Sequence, residues 1–206
     1  MKRHFILISL LIALLCPGIC TGEVRVRFVV DGDTVYLEDG ERVRYAGVDA
    51  PEMAHEGCSE PEFLAEAARR FNERAVQGKR IRLEMDRERR GRHGRLLAYV
   101  YLEDGSMINR ILLQEGLAHV MTTPPNVRHR QELLSAQREA MASGRGIWGV
   151  SSYSTGSSYV GSRKSYRFHR MSCRYARRIA PSNRVLFETL RQAFWRGYSP
   201  CTQCLP

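Results

Sequence analysis

Apolar and polar residues alternate along much of the first half of the chain with the two-residue period of a pleated strand. Val24 to Val30, Thr34 to Leu37 and a stretch opening at Arg42 come first. Asp31-Gly32-Asp33 joins the first two, and Glu38-Asp39-Gly40 leads into the third. Close turns between three short strands predict a meander. In the third stretch Val43, Tyr45 and Gly47 alternate with Arg44, Ala46 and Val48, until Pro51, which has no ladder donor, ends it. Lys79 to Asp86 sets Ile81, Leu83 and Met85 against Arg80, Arg82 and Glu84. Leu96 to Leu102 is the fifth strand, with Arg87 to Arg95 read as an arginine-dense loop before it.

Elsewhere the period lengthens. Phe63, Leu64, Ala67, Ala68, Phe71 and Ala75 recur at helical spacing between Pro61, a starting residue, and Gly78, a stopping one. Ser106 is placed to cap a short helix through Leu113. Arg128 to Ala142 predicts a second long amphipathic helix ending at Gly144. The pattern alone describes an α+β chain. Residues 150–162, rich in Ser, Gly and Tyr and without a period, read as a flexible linker between two domains, 23–149 and 163–206.

Composition adds an address and a charge asymmetry. A short basic start, Met1 to His4, precedes an eleven-residue run, Phe5 to Leu15, that is apolar but for Ser9. Eleven is too short to cross a bilayer, and with the small residues that follow it describes a signal peptide over residues 1–22. The chain is thus expected to be exported, periplasmic or secreted, with no stable membrane span after cleavage; a retained N-terminal anchor is the alternative. Net charge is +10. Residues 151–206 hold nine arginines and one lysine against one glutamate, whereas residues 21–150 hold 20 basic and 21 acidic side chains. The C-terminal part is therefore the handle for a polyanion.

The charged residues that break the strands carry the candidate chemistry. Asp31 and Asp33 flank one turn, Asp49 and Glu52 lie at a strand end, Arg44 sits within a strand, and Arg95 opens another. Cutting a phosphodiester needs an in-line water, a base for its proton, and positive charge on the phosphate oxygens. Taken singly each has a bland reading: a hairpin Asp-Gly turn, a solvated arginine, a surface glutamate.

Taken in order they do not. D-G-D-T at Asp31, R-x-x-x-V-D-A-P-E at Arg44, G-R-x-L-A-Y-V-Y at Gly94, N-x-x-L-x-x-x-G-L-A at Asn109 and G-x-W at Gly146 resemble the staphylococcal-nuclease (thermonuclease) family from about Arg25 to Trp148. The resemblance implies a five-stranded OB-type barrel packed by helices. It implies Asp33 and Asp49 as carboxylate ligands of Ca²⁺, with the main-chain oxygen of Ala50 as a third. It implies Glu52 as general base or orienter of the attacking water, Arg44 and Arg95 as the phosphate clamp, and Asp31 behind the metal ligands, fixing their turn. The family's best-known member has threonine where Ala50 stands. Aromatic residues that pack on its bound nucleotide align with His93, Thr122 and Pro124, so base stacking is expected to be weaker. An acidic residue usual four positions before the second arginine is Gly91 here.

His169-x3-Cys173 and Cys201-x2-Cys204, 27 residues apart, give three thiolates and an imidazole, a closed tetrahedral Zn²⁺ set. A disulfide or unrelated cysteines is the alternative; Cys58 stands alone and is assigned no role. Val185 to Phe187 reads as a strand, and Thr189-x-x-Gln192 as a capping box opening a helix that stops at Gly197. With Gly197 to Cys204 this resembles the zinc-binding domain of the Ada DNA-repair protein family, over roughly Tyr159 to Pro206, a small α/β module. That family's first ligand is a methyl-accepting cysteine. Here it is His169, so the resemblance implies the fold and DNA contact but not alkyl transfer.

The expectation is an exported, monomeric, Ca²⁺-dependent nuclease for DNA or RNA or both, whose basic zinc module helps to hold nucleic acid. The rivals are a non-catalytic OB-type module that binds nucleic acid or protein in the cell envelope, and a zinc-held envelope interaction protein. The charge asymmetry further predicts that cutting and holding lie on separate modules, so that a chain ending near Val150 still cuts.

Overall fold

A computed structural model describes residues 22–54, 60–149 and 158–205; the expected leader, Cys58 and most of the Ser-rich stretch lie outside them. In chain order the first part holds β1 (Val24–Val29), β2 (Thr34–Leu37), β3 (Arg42–Tyr45), β4 (Val48–Asp49), α1 (Ala65–Val76) and β5 (Arg80–Arg90). It continues with β6 (Leu96–Tyr101), α2 (Ile108–Gln114), β7 (His119–Val120) and α3 (Arg130–Ser143). Five strands close into a barrel in the order β1-β2-β3-β6-β5, the OB-type arrangement expected, with helices packed on it. The alternating residues do what the pattern requires: Val26, Val35, Leu37, Val43, Ile81 and Leu83 are buried together, with Leu112 and Leu113 of α2 against them.

Two features of this frame position the site. β3 and β6 pair in parallel, Val43 opposite Leu96 and Arg44 opposite Leu97, which sets Arg95 beside the strand that carries Arg44. β4 and β7 form a two-residue ribbon with Asp49 opposite His119. Asn109 locks both regions: its Oδ1 accepts from the Val100 N–H (2.9 Å) and its Nδ2 donates to the Ala46 carbonyl (2.9 Å) just ahead of β4.

The second part holds β8 (Tyr159–Ser162), β9 (Arg167–Arg170), β10 (Arg184–Phe187), α4 (Leu190–Trp195) and β11 (Ser199–Pro200). These strands form a sheet in the order β10-β8-β9-β11. Thr189 caps α4 as expected, accepting from the Gln192 N–H at 3.0 Å. No helix among the described residues is long and apolar enough to cross a membrane.

Several expectations need correction. Tyr159–Ser162, expected to be linker, is a strand. Its glycine is a packing residue: a Cβ on Gly161 would lie 2.6 Å from the Phe187 ring and 2.8 Å from that of Tyr198. β5 continues through Arg90 where a loop was expected; its overhang is held by Asn126, which accepts from the Glu88 N–H and donates to the Glu88 carbonyl, both at 2.8 Å. β3 stops at Tyr45, and Val48 belongs to a separate ribbon. Ser106 does not cap α2, because its hydroxyl is held by Asp104 (2.6 Å) in the preceding turn.

The second part also packs directly on the first. Met141 of α3, with Ile147 and Trp148, shares one hydrophobic cluster with Phe168, Phe187, Phe194 and Tyr198. Gln137, fully buried, accepts from the Val120 N–H (2.6 Å) and donates to the Phe194 carbonyl (2.6 Å), tying β7 to α4 through α3.

Candidate active site and metal centre

The Asp31-Gly32-Asp33 turn can lie against Ala50 only because its centre is glycine. A Cβ there would be 2.5 Å from the Cβ of Ala50 and 2.8 Å from that of Ala68 in α1. Asp31 Oδ1 accepts from the Asp33 N–H at 2.9 Å, and its carbonyl accepts from Asn72 Nδ2 at 3.0 Å. Asn72 in turn accepts from the buried Tyr45 hydroxyl. The turn is thus anchored to both α1 and β3.

Asp33, only 3% exposed, accepts from the Ala50 N–H at 2.7 Å and pairs with Arg44. Arg44, 6% exposed, also pairs with Asp49 and donates to the Val48 carbonyl at 3.1 Å. One guanidinium therefore draws the two expected metal carboxylates together. Burial pushes Asp33 far above the usual carboxylate range; Arg44 pulls it back, while Asp31 and Asp49 push it further up. Glu52 lies at the exposed edge, its N–H donating to Glu62 (2.9 Å), and burial followed by the charge of Asp31 raises its pKa. The charges of Asp31, Asp33, Asp49 and Glu52 all act on the Arg44 guanidinium. Such an excess of hard oxygen donors is what a divalent hard cation relieves, so the residues fit Ca²⁺.

Arg95 completes the group. Burial lowers its pKa, and so do the charges of Arg44 and Arg42 beside it. Among the described residues its side chain makes no hydrogen bond or ion pair. Two adjacent guanidinia, one with all its donors uncommitted, form an anion site.

Two residues near Asp49 escaped the sequence reading. His119 is half-buried opposite Asp49, its Nε2 3.6 Å from the carboxylate and without a hydrogen bond among the described residues. Burial holds its pKa down, and Phe194 of the second part packs edge-on against its ring at 5.3 Å. Arg167 of β9 donates to the Pro200 carbonyl (2.9 Å) and reaches the Met121 sulfur (3.0 Å) just beyond β7. No spacing rule relates either residue to the motifs, because tertiary packing brings them there.

The second expected centre is assembled too. The ligand atoms of His169, Cys173, Cys201 and Cys204 all lie within 4.8 Å of one another, and the three cysteines form no disulfide. Burial opposes ionisation of Cys173, but the main-chain N–H groups of Tyr175 and Ala176 bring its pKa below the usual thiol range. Burial lowers the pKa of His169 and favours its neutral, ligating form. Three thiols, one neutral imidazole and amide donors to sulfur form a set able to bind a metal ion.

Comparison with known proteins gives the site its context. Residues 42–150 match the family described as staphylococcal nuclease homologue, a span that takes in Arg44, Asp49, Glu52 and Arg95 and stops short of the cysteine set. The chain is 41% identical over 126 residues to the thermonuclease of Staphylococcus intermedius, covering 60% of this chain and 74% of that one. It is 35% identical over 123 residues to the thermonuclease of Staphylococcus hyicus, covering 58% and 72%. Similarity to endonuclease YncB of Bacillus subtilis is 36% over 138 residues, 64% of each chain.

Proposed function

The chain belongs to the staphylococcal nuclease family, and from that premise we propose that it is an exported, Ca²⁺-dependent nuclease that hydrolyses phosphodiester bonds of DNA, RNA or both. The observation that carries this reading is the joint placement of the Asp33–Arg44–Asp49 group and the uncommitted Arg95 side chain across the parallel β3–β6 pair. Asp33, Asp49 and the main-chain oxygen of Ala50 would hold Ca²⁺, which when bound supplies positive charge to the phosphate. Arg44 and Arg95 bind the phosphate oxygens and meet the charge that develops on them. Glu52, at the rim, takes the proton of the attacking water or orients it. Asp31 fixes the turn that presents Asp33.

His169, Cys173, Cys201 and Cys204 would hold a structural Zn²⁺, as the resemblance to the Ada zinc-binding domain implies. Nine arginines after residue 150 make that module the side that meets nucleic acid.

The test is cleavage of plasmid DNA and of RNA by the purified chain from Glu23 onward, with Ca²⁺ or with a chelator. Cleavage with Ca²⁺ alone is expected. Binding of either nucleic acid without cleavage under any divalent ion would instead favour a non-catalytic module. A finer check is Ala50→Thr, expected to leave the rate within a few-fold because the proposed ligand is a main-chain oxygen. A large loss would show that the small buried side chain against Gly32 shapes the site.

A further inference from the structure

Arg167 sits where the two parts of the molecule meet. β9 places it two residues before His169, and its Nη1 bond to Pro200 ties it to the chain entering Cys201. On its other side it meets Met121, whose N–H donates to the Gly47 carbonyl (3.0 Å) beside the ribbon that carries Asp49. The side chain is half-buried and forms no ion pair among the described residues. A carbonyl and a thioether are weak compensation for a partly desolvated cation. The charges that act on it are those of Asp49, Cys201, Arg44 and Arg92. Asp49 is already paired with Arg44. Two of the five guanidinium donors are engaged, so three remain for an anion.

We propose that Arg167 is a substrate-contacting residue, binding a phosphate of the nucleic-acid strand next to the one cut at Arg44 and Arg95, so that the zinc module forms one wall of the substrate groove. The inference rests on the nuclease reading above. It differs from a loosely tethered basic handle because it gives one module arginine a fixed place beside the site. The module's hydrogen bond from Arg167 to Pro200 aims that arginine, and the charge of Arg92 in the turn between β5 and β6 acts on it as well.

The experiment measures binding without cutting, using Glu52→Gln in the full chain and a short single-stranded oligonucleotide over a salt series with Ca²⁺ present. Adding Arg167→Ala or Arg167→Gln is expected to weaken affinity about tenfold. Each should also lower the slope of log affinity against log salt by about 0.7, the loss of one phosphate contact on a single strand. Arg167→Lys should keep the slope. Gln retains a donor for Pro200 and guards against a module that fails to fold in the Ala variant; metal analysis of each variant checks the zinc set. Arg138→Ala, which removes a bond to the Trp195 carbonyl elsewhere on the same interface, should leave the slope unchanged. With Glu52 restored, Arg167→Gln should raise KM about tenfold and leave kcat within a few-fold. Unchanged slopes in Arg167→Ala and Arg167→Gln, or an equal drop in Arg138→Ala, would overturn the proposal. If the unmodified chain neither cuts nor binds, the nuclease reading fails; if it cuts normally while the slopes stay level, only Arg167 has been misassigned.

Discussion

Glu52→Gln and Arg95→Ala should each slow Ca²⁺-dependent cleavage by at least about 10²–10³-fold while leaving thermal unfolding nearly unchanged. Neither side chain carries an ion pair among the described residues, and neither is a core residue, so the lost rate reports chemistry. Arg44→Ala is a different experiment. Its guanidinium holds two carboxylates inside the protein, and removing one partner of a buried charge group typically costs about 3–5 kcal/mol. Part of that cost is relieved by protonation of Asp33, whose pKa is already raised. Inactivity in Arg44→Ala would therefore mix unfolding with lost phosphate binding. Arg44→Lys separates them: an ammonium keeps the charge but cannot offer a planar fork to phosphate, so the fold should survive and most of the rate should not. Wild-type rates in Glu52→Gln and Arg95→Ala, measured at saturating Ca²⁺ on plasmid DNA, would show that the catalytic roles belong to other residues.

The site was legible where chemistry depends on the order of residues along the chain. Asp33, Asp49, Glu52 and Arg95 stand in an ordered set of motifs, and strand alternation predicted β2, β3 and β6, which begin or run beside them. The burial of Arg44 was not legible, because an arginine between Val43 and Tyr45 follows the alternation of a solvated strand face. Only closure of the barrel places Asp33 and Asp49 on either side of its guanidinium. The arginine-rich end of β5 was hidden for a related reason. Its order comes from the Asn126 side chain bonding to the backbone of Glu88, and a polar strand held from outside leaves no hydrophobic period. β4 and β7 are two residues each, too short for any period to register. Arg167 and His119 required knowing which surface of the second part faces the barrel. That information resides in Phe194, Trp148 and Met141, which periodicity marks as apolar without naming their partners.

This shared cluster reverses the expected result of truncation. Charge asymmetry alone predicted that a chain ending near residue 150 would still cut. Ending it there uncovers Met141, Ile147 and Trp148, removes the Phe194 carbonyl from Gln137, and strips the Phe194 ring from His119 behind Asp49. Burial of each large apolar side chain contributes about 1.5–3 kcal/mol, against a total stability of about 5–15 kcal/mol. A chain of residues 23–149 is therefore expected to melt at least about ten degrees lower than the intact chain and to lose most of its activity at 37 °C by unfolding. Cys201→Ser or His169→Ala in the full chain should approach the same result, since small metal-held modules seldom persist without their ion. The nuclease would then depend on two metals for different reasons, and a zinc-selective chelator should lower the melting temperature even in excess Ca²⁺. Melting curves, bound-metal analysis and short-oligonucleotide cleavage, run together on the three variants, decide the matter. If residues 23–149 melt with the intact chain and cut the oligonucleotide at its rate, the apolar contact is energetically idle and cutting and holding are separable as the charges suggested. If Cys201→Ser keeps both its zinc and its melting temperature, the four-residue set is not what holds the module together.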